Sequence, residues 1–443
     1  MYKAVVKPMS KHSLHHSRPI THCQSCGEKG LVPHIFLGSV PLVNHMHPIG
    51  TIADAEMRFP LELVHCESCG LCQIGYEVDQ QLLFPYSYPY LSGTTQILID
   101  NFQDLAEEVS QLLPFQSGEK VIDIGANDGT LLKPFKEKGY SVLGVEPSQA
   151  ARLAEKDGIP MMIDYFSMEA AQTIKQKHGL AKVITAANVF AHIKDVHEVI
   201  KGITSLLDED GVFISESHYL VSLVETLQYD TIYHEHLRYY SLTALAHLFK
   251  KHGLEIFRAK KIPTHGGSIR VYAARKGKYP IDSSVHSLLS LEDTKGVSNG
   301  LLLKQFKEAV VKSKLDLLHI IRKIKAEGGT IMGIGAPSRA STLINYVGLD
   351  DGLLTAIGEV PNSHKLGKYI PGTRIPVVNE RLLYENQPEF ALLLSWHIAE
   401  ELMLKLVEKG YQGDFIIPLP YPKIVTNKSI RAKKTEAILE QVQ

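Results

Sequence analysis

The 443-residue sequence has no apolar run approaching the roughly 20 residues that cross a bilayer. Its opening stretch, MYKAVVKPMSKHSLHHSRPI, has no continuous apolar core of the kind found in secretion signals. The expectation is a soluble, cytoplasmic protein with no membrane partner. An excess of charge is missing too: 47 Lys and Arg face 48 Asp and Glu, a formal net charge of -1. Nothing therefore favours broad electrostatic binding to nucleic acid. The composition, 44% apolar and 21% charged, is ordinary for a globular protein. The length is too great for one core and suggests two or three domains.

Cysteine is scarce and confined. All five lie before residue 73, and four form two CxxC pairs, Cys23 with Cys26 and Cys66 with Cys69. One pair on a tight turn supplies two thiolates along one edge of a tetrahedron, and a second pair closes it. Four thiolates leave no open coordination position, so the expected metal is a structural Zn2+. The long gap between the pairs must carry structure of its own. Cys72 is left as a spare thiol.

Next, EKVIDIGANDGTLLKPFKEKGYSVLGVEPS reads as strand, glycine turn, helix and second strand. The glycines are Gly125 and Gly129, with Asn127 between them, and Asp123 stands just ahead. A carboxylate there disfavours a pyrophosphate, which a GxGxxG turn would accept. It suits a cofactor with no phosphate and a cationic amino group, such as S-adenosylmethionine. Glu146, ending the second strand, can accept from two ribose hydroxyls. AKVITAANVFAHI and GVFISESHYL supply two more strands, with Asn188, His192, Glu216 and His218 at their carboxyl ends. Ligands of open α/β sheets sit at those ends.

YDTIYHEHLRYYSLTAL follows, with four tyrosines, two histidines and two acids in its first twelve positions. The segment has neither HExxH spacing nor a GxSxG elbow. As a helix it would place Tyr229, Tyr233, His236 and Tyr240 on one face, with Glu235 off to the side. An apolar core would not select Asp230, His234, Glu235, His236 and Arg238 together. Such groups suit a reaction that must take a proton from carbon: histidine removes it and tyrosine steadies the enolate oxygen.

The third region opens on a long amphipathic helix and continues with TIMGIGAPSRASTLINYVGL, again strand, glycine turn and helix. This turn, Gly333 to Arg339, carries an arginine where the first carries an acid. Arg339, backbone N–H groups and the helix N-terminus make a diphosphate cradle. Lys365 and Lys368 add charge downstream. A dimerisation domain is the competing reading of this region.

The paired cysteines, YPYLSGTT, DIGANDG, NVFAHI, YHEHLRYYS, HGGSIRVY and PGTRIPV together resemble the bacterial nucleotide-sugar C-methyltransferases. The resemblance covers nearly the whole chain, and YHEH and HGGS carry most of its specificity. It implies an α/β protein in three parts: a zinc-binding domain over 1–82, a Rossmann-like class I methyltransferase domain binding S-adenosylmethionine over 83–300, and a second Rossmann-like domain binding the nucleotide sugar over 301–443. It further implies methylation at C3 of a nucleoside-diphosphate-linked 4-keto-deoxysugar through an enolate, with His236 as base, helped by Tyr233 and Glu235. His192 and Asn188 match positions near the sugar and the sulfonium. Tyr88, Tyr90, Arg339, Asn345 and Lys365 match the substrate side. Arg339 stands where the family has lysine, and Glu359 where it has aspartate, so the identity of nucleotide and sugar stays open, as does monomer against homodimer. An O- or N-methyltransferase of another metabolite and a zinc-ribbon RNA methyltransferase are the alternatives.

Overall fold

A computed structural model describes residues 17–52, 56–83, 91–113, 116 and 118–432. Tyr88 and Tyr90 lie outside the described residues. The chain forms two compact units, each assembled from separate stretches. Unit 1 is Met1–Pro33, Val64–Ser222 and Glu235–Leu302; unit 2 is His34–Leu63, Leu223–His234 and Leu303–Gln443. Residues 34–63, which follow the first CxxC pair, therefore pack with the C-terminal unit.

Unit 1 is built on a seven-stranded sheet behind helix α1 (Gln96–Leu112). Its strands are β1 (Lys120–Ile124), β2 (Ser141–Val145), β3 (Met161–Met162), β4 (Ala181–Ala187), β5 (Leu207–His218), β6 (Leu254–Ile262) and β7 (Ser268–Arg275). Their order is β3-β2-β1-β4-β5-β7-β6. The first five are parallel, and β7 runs antiparallel to both neighbours. Strands β1 and β4 are buried apolar runs, as parallel strands covered on both faces must be. Helix α1 buries Leu98, Phe102, Leu105, Ala106 and Val109, the i, i+4, i+7 stripe of a helix laid on a sheet. The strand order reverses between β1 and β4. A crevice forms at the carboxyl ends of strands at such a switch point.

The expected helix through Tyr229, Tyr233, His236 and Tyr240 does not form. Tyr229–Thr231 make one 3-10 turn, and Arg238–Tyr239 pair as a short strand with Gln73 and Cys72. A helix, α2 (Leu242–Lys250), starts only after Ser241, whose hydroxyl caps the Ala244 N–H. The buried Glu292 carboxylate accepts from the Leu242 and Thr243 N–H groups, so the free donors at this helix start are already satisfied. The tyrosine spacing matched a helical period, but a strand pairing with a segment distant in sequence took those backbone groups instead.

Unit 2 carries a second seven-stranded sheet: β8 (Ile331–Ile334), β9 (Ile357–Glu359), β10 (Lys368–Tyr369), β11 (Pro376–Asn379), β12 (Phe390–Leu393), β13 (Asp414–Ile417) and β14 (Lys423–Val425). The order is β10-β11-β9-β8-β12-β13-β14, parallel in the middle with antiparallel edges. Helix α3 (Ser338–Val347) follows the β8 turn. Residues 34–63 are stitched to this unit by the Ile49 N–H on the Gly367 carbonyl and the Tyr369 N–H on the His47 carbonyl, both 2.8 Å. No helix among the described residues is long and apolar enough to cross a membrane.

Candidate active site

The four paired cysteines come together. Their sulfurs all lie within 4.8 Å of one another, with Cys23 to Cys69 at 3.5 Å and Cys26 to Cys66 at 3.4 Å. Each pair sits on a turn closed by a glycine: the Gly27 N–H reaches the Cys23 carbonyl and the Gly70 N–H the Cys66 carbonyl. Both glycines have positive φ, 83° and 72°, which lets the chain double back under the sulfurs. This donor set fits a tetrahedral four-thiolate Zn2+ site. Cys72 is buried in a strand outside the cluster, and burial alone pushes its thiol up.

At the switch point of unit 1, the turn after β1 is held from beneath. The N–H groups of Gly125 and Ala126 donate to the Val145 carbonyl of β2. A side chain on Gly125 would run into Val189, and one on Gly129 would touch Ala154 and Ile159. Asn127, at φ 50°, donates its N–H to Glu146 Oε2 at 3.1 Å, while the Ser148 N–H donates to Oε1 at 2.9 Å. The Glu146 carboxylate is thus aimed by the backbone, and each oxygen keeps a further lone pair. Asp123 is buried beside the Thr185 hydroxyl at 2.7 Å. Burial pushes its carboxyl up to about 8, against the pull of that hydroxyl. Asn188, after β4 at φ 58°, has a buried side-chain oxygen with no hydrogen-bond partner among the described residues.

The sequence reading missed the clasp on this turn. The Ser92 N–H donates to Asn127 Oδ1 at 3.0 Å, and the Gly93 N–H to Asp128 Oδ2 at 2.8 Å. A side chain on Gly93 would meet Thr130 Oγ1 at 2.8 Å. The signal was present in YPYLSGTT, quoted above for its resemblance alone.

Past β4 and β5, histidines converge. The Leu237 N–H donates to the Ala191 carbonyl, and Tyr240 pairs with Tyr219 just past β5. These two registers bring His236, 7% exposed, against His192 and His218. Ring centroids are 4.9 Å apart for His192–His236, 5.3 Å for His218–His236 and 5.4 Å for His218–His265. His192 Nδ1 lies 2.7 Å from the Glu235 carbonyl. A carbonyl only accepts, so Nδ1 carries the hydrogen and Nε2 is left as the acceptor. Burial lowers the His192 pKa to about 4. Arg238 is buried and donates to the carbonyls of Phe190, Ile193 and Lys194, fixing the loop that carries His192. The neighbouring His234 belongs elsewhere. It packs edge-on against Phe59, with Nε2 3.1 Å from the Pro60 carbonyl, in unit 2. Tyr233, half-buried, is also in unit 2.

In unit 2 the turn after β8 repeats the first in outline. The Gly335 N–H donates to the Gly358 carbonyl, and the Ala336 N–H donates to Glu359 Oε2 at 2.7 Å. Glu359 thus ends β9 as Glu146 follows β2. Lys365 Nζ donates to the Ala336 carbonyl. Arg339 departs from its expected role as a cradle cation. Its guanidinium is buried and paired in a fork with Asp230, at 2.8 and 2.7 Å. It also stacks on Trp396, whose indole N–H donates to the same carboxylate. A charge neutralised this closely has little left for a diphosphate. Asn345 donates to the Ser341 and Pro371 carbonyls, and so braces α3 against the Gly372 turn.

Three family models match in sequence: "Putative zinc binding domain" over residues 23–84, "Methyltransferase domain" over 98–259, and "C-methyltransferase C-terminal domain" over 263–420. The C-methyltransferase NovU of Streptomyces niveus is 31% identical over 417 residues, covering 93% of this chain and 98% of that protein. A ubiquinone biosynthesis O-methyltransferase of Pseudomonas aeruginosa is 31% identical over 104 residues, covering 22% of this chain and 44% of its own. Among solved structures, the magnesium protoporphyrin IX methyltransferase of Synechocystis superposes with a TM-score of 0.31 at 17% identity, covering 41% of this chain and 79% of that one.

Proposed function

The chain belongs to the C-methyltransferase family that includes NovU, and from that premise we propose that it methylates C3 of a 4-keto-deoxysugar carried on a nucleoside diphosphate. The methyl donor in this reading is S-adenosylmethionine, which supplies an electrophilic methyl on a sulfonium. The residues at the unit 1 turn fit that donor. Glu146 has lone pairs for the ribose diol, and the unpartnered Asn188 oxygen can accept from an amino group. A cationic ligand nearby would draw the Asp123 carboxyl back toward its ionised form.

The reading is carried by one observation: His236 is buried with two other imidazoles against it, at the carboxyl ends of β4 and β5. A C4 ketone acidifies the C3 hydrogen, and a neutral imidazole is a competent acceptor for it near pH 7. Glu235, whose carbonyl fixes the His192 tautomer, orients the neighbouring ring. The glycine turn of unit 2, with Glu359 accepting from its backbone, suits a nucleotide. Lys365 holds that turn. The Asp230 pair shifts the task of meeting the diphosphate from Arg339 to backbone N–H groups.

The test compares His236→Asn with His234→Asn. His236→Asn should lower kcat by about 10²–10⁴-fold, the usual contribution of a positioned base. KM should change little, because the base acts in the transition state. His234→Asn should retain most of the activity. Equal losses in the two variants would remove His236 from this role.

A further inference from the structure

The reaction proposed above releases one proton per turnover, and His236 is too buried to pass it straight to water. We propose that His218 and His265 form the exit path for that proton, handing it from His236 ring to ring toward solvent. This rests on the reading of His236 as the base.

Three observations carry the path. The rings of His236, His218 and His265 follow one another at 5.3 and 5.4 Å between centroids. Rings at that spacing are close enough for a proton to pass between nitrogens directly or through one bridging water. His236 is buried, whereas His218 and His265 are both half-buried and so open to solvent. The last ring is also held at a cost. His265 has φ 55°, and Gly266 and Gly267 follow at 82° and 119°. A non-glycine residue with positive φ is uncommon, and a histidine kept there points to use of its side chain. The HGGS motif gains a physical meaning from this turn. A side chain on Gly267 would meet Ser222 Cβ at 2.5 Å, and the Gly267 carbonyl accepts from the Tyr219 N–H, so the turn is clamped beside the end of β5. His192 also packs against His236. Burial holds its pKa low, which makes it a poor proton carrier.

The step balances simply. The C3–H bond breaks and its electron pair stays on carbon; that pair forms the bond to the methyl group as the methyl–sulfur bond of the sulfonium breaks and its own pair stays on sulfur. The proton goes to His236, then to His218 and His265, and leaves to water. Each imidazole accepts on one nitrogen and releases from the other, so no residue is changed over a turnover and no further reactant is needed.

Deuterium wash-in at C3 tests the path without methyl transfer. The protein is incubated in heavy water with S-adenosylhomocysteine and a panel of thymidine-, uridine-, cytidine- and guanosine-diphosphate 4-keto-6-deoxyhexoses. His265→Gly removes the ring and suits the positive φ, so folding should not suffer. His265→Asn tolerates that φ but carries no proton. Both should slow wash-in by about tenfold or more relative to first-turnover methylation, and added imidazole should restore the rate in His265→Gly. His218→Gln should behave alike. Wash-in within twofold of wild type in the His265 variants overturns the path. So does a loss that imidazole does not restore, or that falls equally on first-turnover methylation. His236→Asn separates the two readings. If it still exchanges C3 hydrogen at the wild-type rate, or if wild type exchanges none of the panel, the base assignment fails and the path with it. If only the His236 variant loses exchange, the base stands and the path alone is wrong.

Discussion

Arg270→Met should be among the most damaging single changes in unit 1, and the structure shows which of its contacts matter. The guanidinium is fully buried on β7. It reaches Glu216 on β5 at 2.5 Å, Glu108 and Asp104 on α1 at 2.8 and 2.9 Å, and both oxygens of Asn101. Asp104 is 55% exposed, so its share is screened and small. Glu216 is 1% exposed and would be left as a buried carboxylate without its cation. Removing one partner of a buried pair costs roughly 3–5 kcal/mol. Urea unfolding should show a deficit of that order, and Glu216→Gln in the Arg270→Met background should recover much of it. The deficit should also depend on pH. Burial already pushes the Glu216 carboxyl up, against the pull of Arg270. Without the arginine it rises further, and the native state then holds a proton that the unfolded chain releases. The deficit therefore shrinks as pH falls toward that raised value and grows as pH rises, for example between about pH 5 and about pH 8. Function should follow, because the Glu216 carbonyl holds the Asn188 N–H at 2.8 Å. A deficit under about 1 kcal/mol, or one with no pH dependence over that range, would refute this reasoning.

Other outcomes follow from the same structure. Protein purified without chelators should contain zinc, and Cys66→Ser should lose it and destabilise unit 1, since a structural zinc contributes roughly 10 kcal/mol or more in small domains; metal analysis showing none would contradict the site. Glu146→Ala should weaken S-adenosylhomocysteine by about 10- to 10²-fold in calorimetry, from the loss of a charged hydrogen-bond acceptor costing roughly 1.5–3 kcal/mol, and leave nucleoside diphosphate binding alone. Asp123, with its carboxyl raised to about 8, contributes stability that is full below the ordinary carboxylate range and is lost as pH rises through the raised value. Asp123→Asn should therefore gain on wild type as pH climbs over that window in the unliganded protein, and a constant difference between the two would count against a protonated Asp123.

Much of this arrangement was legible in the sequence because it rests on local chemistry. The cysteine turns, the glycine turns after β1 and β8 and the apolar strands announce themselves by spacing and period. What stayed hidden depends on pairing between distant segments. The tyrosines from Tyr229 to Tyr240 fit a helical period, yet Arg238 and Tyr239 pair with Gln73 and Cys72, which no local pattern reveals. Arg339 read as a free cation because its partner Asp230 lies far away in sequence. His218 and His265 meet only because β5 and β7 are in register, with His218 opposite Ser268. The gap between the cysteine pairs was long enough to demand structure of its own, but did not show that the hydrogen bonds of residues 34–63 run to the Gly367–Tyr369 edge.

The central claim is that the methyl group goes to carbon on a nucleotide-linked ketosugar. The direct test supplies S-adenosylmethionine carrying a 13C-labelled methyl together with the same nucleoside-diphosphate 4-keto-6-deoxyhexose panel, and reads the product by NMR. The account predicts a labelled methyl bonded to C3, with the C3 hydrogen gone and the C4 ketone intact. A labelled methoxy or N-methyl signal, or no transfer to any sugar of the panel, would contradict it.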